Sequence, residues 1–406
     1  MMTNIFNKKN LSEVFLLLPF AFSFALMIWF EGASKVLVIT TVISLLSFGI
    51  SFRKRLKSTL IDNLRQPFHI LIWVFTLFIF VQSFLHGVSS REIRTLLCLS
   101  VIALYFPFRA IKPIYYQIII VFGCITIFAN SVYFCLIVGT SRWAGVINPI
   151  PYASIAGLLA LLSIHAALST KNTKTKLLFG GFSILPVISL ALTESRGVWL
   201  AFACALLVLF LNKFRFTFKK FILLLLLSSV ASMLSGSFIK QRIEQTRYEF
   251  EQIQEGNMNT SIGLRLQMWQ AAVKLAEGNW LLGLGNEHFE KLELLYKQRK
   301  ITKALYDYHP PHYHNQFIDS VVKSGLIGLA FLLLLLILPL YLVRHTIKNT
   351  KNIVTAVVAL YVVMGLTDAP FYNGQTFILY VLTMLVLLNS ASQPSDQLTD
   401  GSPDVA

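Results

Sequence analysis

About twelve apolar runs, each close to the length that crosses a bilayer as a helix, follow one another along a chain of 406 residues. They lie near 14–30, 35–52, 68–86, 93–109, 114–139, 149–168, 176–193, 197–212, 218–236, 315–343, 352–369 and 374–391. A chain of this kind cannot hide its apolar surface in one water-facing core. Hydrophobic residues make up 55% of it and charged residues 13%, against about 25% charged in an ordinary soluble domain. Lipid must be its solvent. In lipid every backbone amide and carbonyl needs an internal partner, so runs of this length predict helices. The expected fold is all-α, a polytopic integral membrane protein.

The formal net charge of +16 would suggest nucleic acid in a soluble protein. Here its distribution points to topology instead. One set of short loops holds Lys8, Lys9, Arg53, Lys54, Arg55, Lys57, Arg65, Arg109, Lys112, Lys171, Lys174, Lys176, Lys213, Arg215, Lys219, Lys220, Arg344, Lys348 and Lys351. The alternate loops hold little more than Lys35, Arg91, Arg142 and Arg196. Basic loops stay in the cytoplasm. This predicts a multi-pass protein of the cytoplasmic membrane with both termini inside. No cleavable leader is expected, because the first apolar run lacks a small-residue cleavage site. Cys98, Cys124, Cys135 and Cys204 all fall inside apolar runs and read as packing residues.

The expected organisation is nine spans over 1–236, a large outer loop over 237–313, three spans over 314–391 and a disordered cytoplasmic tail over 392–406. The outer loop is too long to follow the charge rule, and loops of this length are usually functional or disordered. Within it, Leu264, Met268, Trp269, Ala272, Val273 and Ala276 recur at helical spacing. They predict an amphipathic helix lying at the membrane surface. Residues 240–257 predict a second, more polar helix.

A charge near a bilayer is costly, about 2.5–3.5 kcal/mol at a helix centre. Polar residues held at the outer face therefore need a reason. Glu194 and Arg196 sit in a tight turn between two runs, where Arg196 can pair with a headgroup, with Glu194 or with a substrate. Arg265 opens the amphipathic helix. Pro310 and Pro311 stop any upstream helix, so His314 and Asn315 fall at the next helix N-terminus. The positive end of that helix favours a neutral imidazole on His314, which can accept a proton. Arg142 lies in another outer loop and Asp368 at the outer end of a late helix. His309, His312 and His314 with Asp307 raise a zinc site, but their spacing matches no closed zinc pattern. No metal or other cofactor is expected, and His309 and His312 are expected to play no part.

Three pieces resemble the bacterial O-antigen ligase family: "LTESRGVWL" with Arg196, "SIGLRLQMW" with Arg265, and His314-Asn315 followed after nine residues by Gly325-Leu-Ile-Gly328. "GLTDAPF" with Asp368 resembles that family's acidic position. The resemblance implies a fold like that of the GT-C-type membrane glycosyltransferases. It implies transfer of an O-antigen glycan from undecaprenyl diphosphate to the outer core sugar of lipid A-core, at the periplasmic face of the inner membrane, without metal or ATP. Carried over, Arg196 and Arg265 hold the diphosphate and His314 is the base. Asn315, Asp368, Glu194 and Arg142 are supporting candidates.

The chemistry is consistent. The outer loops contain no DxD-like pair for a metal, and two guanidinium forks can pair with a diphosphate in its place. No carboxylate is placed as an obvious nucleophile, so single displacement with inversion is the simpler expectation. Either Asp368 or Glu194 can orient His314 or an arginine. The rival readings are an O-antigen polymerase, a protein O-oligosaccharyltransferase of the same superfamily, and a secondary transporter. The transporter reading suffers because the conspicuous charges sit at one face and not at the midplane.

Overall fold

The computed structural model describes residues 13–140, 145–213 and 236–391, with side chains of 212–213, 236–242 and 391 excepted. The described residues are helical with no strand. The elements are α1 (Leu18–Ala21, continued by a π-helical turn Phe22–Leu26 and a 3-10 turn Met27–Trp29), α2 (Ala33–Ser51), α3 (Leu56–Leu64), α4 (Pro67–Leu85), α5 (Ser90–Tyr105) and α6 (Pro113–Val132, continued to Ile137). They continue as α7 (Pro149–Ser169), α8 (Thr173–Leu192), α9 (Arg196–Lys213), α10 (Gly236–Gln254), α11 (Ser261–Ala276), α12 (His288–Lys297), α13 (Lys303–Tyr308), α14 (Gln316–Leu342), α15 (Lys348–Thr367) and α16 (Gly374–Ala391).

Seven of these helices, α2, α4, α6, α7, α8, α14 and α15, are long and apolar enough to cross a membrane, and three shorter apolar stretches accompany them. The protein is a multi-pass membrane protein. The run at 93–109 is shorter than expected: Phe106 and Pro107 leave helical geometry, and α5 spans 16 residues. The run at 218–236 lies outside the described residues, apart from its last residue.

Local sequence sets many helix starts. Proline occupies the first turn of α4, α6 and α7, where its missing N–H costs nothing. Asn148, Asn172 and Asn315 cap α7, α8 and α14 through their side-chain oxygens. α7 is the central helix. All its residues from 151 to 163 are buried, and many are small or aliphatic, so its neighbours approach on every side.

Between α9 and α14 the chain forms a compact helical cap with its own core. Met268, Ala271, Ala272, Leu275, Leu284, Leu292, Leu305 and Tyr313 pack together and onto Val322 of α14. The amphipathic helix is present as α11, but its apolar face differs from the expected one. Val273 is exposed, while Ala271 and Leu275 are buried. The face covered by α12, α13 and α14 is a protein contact, not a lipid contact. A three-to-four spacing count cannot tell those two environments apart.

α14 is bent at Gly325, whose φ of 65° and ψ of −164° leave the helix. The backbone of 280–284 enters this break: Leu326 N donates to Trp280 O (2.7 Å), and Leu284 N donates to Val322 O (2.8 Å). A Cβ on Gly325 would fall 2.6 Å from Leu282 N. Only glycine allows both the positive φ and this approach. The cap is thereby fastened to α14.

Candidate functional site

The turn between α8 and α9 places the first arginine. Glu194 adopts a left-handed φ of 52°, a conformation that costs a non-glycine residue energy and is often kept for a functional reason. Trp199 Nε1 donates to Leu190 O at 2.9 Å and ties the two helices. Gly197 lies against the end of α15, so closely that a Cβ would sit 2.9 Å from Thr367 Cβ. This approach sets Arg196 beside the segment that carries Asp368. Arg196 Nη1 also donates to Thr246 Oγ1 of α10 at 3.0 Å.

The second arginine comes from the cap. Thr260 caps α11 through Gly263 N (3.1 Å), and Ile262 N donates to Glu249 Oε2 (2.9 Å), which joins α10 to α11. Arg265 is half-buried in the second turn and makes no hydrogen bond or ion pair with a described residue.

The histidine segment is held from several directions. Asn315 Oδ1 accepts from Phe317 N (3.0 Å) and Ile318 N (3.2 Å), so the helix start expected there is present. Tyr313 is fully buried. Trp269 Nε1 donates to its carbonyl (2.9 Å), its own N–H donates to Asp319 Oδ1 (3.3 Å), and its hydroxyl meets His288 Nδ1 (3.2 Å). Burial, with the positive charge of Lys323 and then His309, lowers the pKa of His288 to about 3. His288 is therefore neutral where its Nδ1 meets the Tyr313 hydroxyl. Beyond Tyr313, His314 takes a left-handed φ of 46°.

His312 Nε2 and His314 Nδ1 both lie 2.9 Å from Oδ1 of Asp368, the residue that follows α15. Burial raises the carboxyl's pKa, but the hydrogen bonds and charge of the two imidazoles hold it well below the usual carboxylate range. An ionised carboxylate only accepts, so both facing ring nitrogens carry hydrogen. In the neutral form of His314 this fixes the tautomer: Nδ1 donates, and Nε2 keeps a lone pair. The Tyr308 hydroxyl meets that lone pair at 3.3 Å. The near neighbour of His314 is thus a carboxylate as well as a helix start.

Arg196, Arg265, Glu194 and Asp368 line one open cleft of about 340 Å³, together with Glu249, Thr246 and Thr367. Four residues singled out from three distant stretches of sequence therefore meet at one place, with His314 attached through Asp368. Arg142 lies outside the described residues. Between the two carboxylates named beforehand, Asp368 is the one bonded to His314, while Glu194 lines the cleft wall. His312, expected to be a bystander, shares the Asp368 oxygen. Its Nδ1 is buried without a partner among the described residues. The donor atoms of His312, His314 and Asp368 lie within 4.8 Å of one another, a spacing a metal ion could use. His309 instead stacks on Phe289, ring centroids 4.6 Å apart.

Residues 181–333 match the family model described as O-Antigen ligase. Over this segment the chain is similar to an O-antigen ligase family domain. This segment contains Arg196, Arg265 and His314, and Asp368 follows it. An uncharacterized protein of Haemophilus influenzae is 27% identical over 393 residues, covering 91% of this chain and 95% of that relative. An O-antigen ligase of Escherichia coli K12 is 24% identical over 238 residues, covering 57% of this chain and 55% of that relative. The second match thus spans about half of the relative's length.

Proposed function

We propose that this protein transfers an O-antigen glycan from undecaprenyl diphosphate to the outer core sugar of lipid A-core, at the periplasmic face of the inner membrane. The observation that carries this reading is the convergence of Arg196, Arg265 and Asp368 on one cleft, with His314 bonded to that carboxylate. The domain match and the ligase relative support it.

In this reading the two guanidinium groups pair with the diphosphate. Their attraction grows as negative charge develops on the departing oxygen, so they favour the transition state over the bound donor. His314 Nε2 takes the proton of the acceptor hydroxyl. The hydroxyl oxygen attacks the anomeric carbon as the carbon–oxygen bond to the diphosphate breaks. The electron pair leaves on undecaprenyl diphosphate, and the anomeric centre inverts. Asp368 holds the imidazole in the useful tautomer and stabilises it once protonated. The Tyr308 hydroxyl marks where the acceptor hydroxyl would approach.

The test is the lipopolysaccharide of a strain lacking this protein, resolved on a gel. Loss of the whole O-antigen ladder, with lipid-linked polymer accumulating, is the expected result. Survival of lipopolysaccharide carrying a single repeat unit would mark a polymerase and overturn the reading.

A further inference from the structure

A second cleft, of about 370 Å³, lies where α2, α5 and α16 meet. Two helices begin at its wall, α2 at Ala33 and α16 at Gly374. The N-cap of α2 is Gly32, so no side chain there caps the free amides of its first turn. Two helix N-termini set against one cleft create a local positive potential with N–H donors available. Arg91 of α5 lines the same space and adds a full charge.

An independent observation points to a ligand. Thr95, one turn after Arg91, is 1% exposed and lines the cleft, yet its hydroxyl has no hydrogen-bond partner among the described residues. A buried hydroxyl left unpaired is costly unless something else meets it. It lies beside Gly374, where a Cβ would be 3.5 Å from Thr95 Oγ1. The unpaired group therefore sits at the opening turn of α16.

The surroundings indicate where the ligand comes from. The cleft opens at the ends of two apolar helices, the level at which headgroups lie. Its rim carries the exposed apolar side chains Phe30 and Val146, 45% and 37% exposed, which suit the boundary between acyl chains and water. Glu31 lines it too, and is exposed. A cleft with an exposed arginine and two helix N-termini on its wall, and one exposed carboxylate beside them, complements a phosphate with an ammonium attached.

We propose that this cleft binds the phosphate of a membrane lipid headgroup, with an ethanolamine-type ammonium placed against Glu31. The site is separate from the arginine cleft, and none of its residues belongs to the transfer machinery. The proposal stands whether or not the ligase reading does.

The test is native mass spectrometry of the full chain in detergent, titrated with phosphatidylethanolamine, phosphatidylglycerol or inorganic phosphate. The native chain should retain phosphatidylethanolamine over phosphatidylglycerol, and inorganic phosphate should displace both. Arg91→Gln should weaken retention of both lipids about tenfold, and Thr95→Val by a smaller factor. Glu31→Gln should abolish the preference for phosphatidylethanolamine and leave phosphatidylglycerol unchanged. Unchanged retention of both lipids in Arg91→Gln and Thr95→Val overturns the site. Inorganic phosphate binding with neither lipid retained overturns the lipid assignment, and equal retention of the two lipids by the native chain overturns the role of Glu31.

Discussion

His314 Nδ1 lies 2.9 Å from Asp368 Oδ1, although 54 residues separate them in sequence. The bond decides which ring nitrogen keeps its lone pair, so Asp368 should act on transfer through His314. Removing the base by His314→Ala is expected to lower the rate of glycan transfer about 10²–10⁴-fold. Asp368→Asn keeps the shape but can donate as well as accept, which frees the wrong tautomer. It should give a loss of similar size, with the donor KM little changed. Because the two act as a unit, the double variant should be hardly worse than either single one. The measurement is transfer in vitro across a range of pH, where a positioning role predicts a shifted pH profile for Asp368→Asn. Full additivity of the two losses would show that they act separately.

Arg196 and Arg265 are expected to serve as paired phosphate contacts. Replacing either by Ala should cost about 10²–10³ in kcat, as for the loss of one donor that stabilises transition-state charge. Lysine should restore only part, since it offers a point charge in place of a bidentate fork. The same assay should be indifferent to a chelator. If EDTA stopped transfer and zinc restored it, the His312, His314 and Asp368 donors would be a metal set, and the tautomer argument would fall.

Much of this site was legible in sequence because charges near lipid are costly and few. Arg196, Arg265, His314 and Asp368 stood out by scarcity at one end of the apolar runs. The meeting of the two arginines with Asp368 in one cleft was not derivable from spacing, because it depends on α9 and α15 touching at Gly197 and on α10 bringing Thr246 to Arg196. His312 was expected to play no part, because only the fold brings both rings to one carboxylate. Likewise, Val273 was assigned to the apolar face of a surface helix because helical spacing records periodicity, not what covers each face. The apolar runs themselves were readable because lipid leaves the backbone few options.

Two glycines should prove structural. Gly325→Ala meets both a positive φ and the backbone of Leu281 and Leu282. Strain of this kind costs about 1–3 kcal/mol for the conformation alone, so the variant should lower the melting temperature in detergent. It should also loosen the cap, seen as faster hydrogen exchange in residues 280–284. Gly197→Ala should move α9 from Thr367 and so displace Arg196. Its transfer rate should fall more than its melting temperature, whereas an equal and small effect on both would count against the close contact setting the site.

His288 gives a pH dependence whose sign can be worked out. Its pKa in the folded chain is lowered from 6.5 to about 3, chiefly by burial, with the positive charges of Lys323 and His309 adding to the effect. Between those values the opened cap binds a proton at His288 and the closed cap does not. Acid therefore favours opening. The stabilisation is fully present above pH 6.5 and declines as the pH falls toward about 3, by about 1.4 kcal/mol per unit at most. Other groups titrate in the same range, so the informative quantity is the difference between the native chain and His288→Gln. Amide exchange in α11 and α12, corrected for its intrinsic pH dependence, should show the native cap losing protection between neutral and mildly acid pH. His288→Gln should start less stable, since its fit against Tyr313 is poorer, but lose less as the pH drops. Parallel loss in the two proteins would mean that His288 is not the group that titrates.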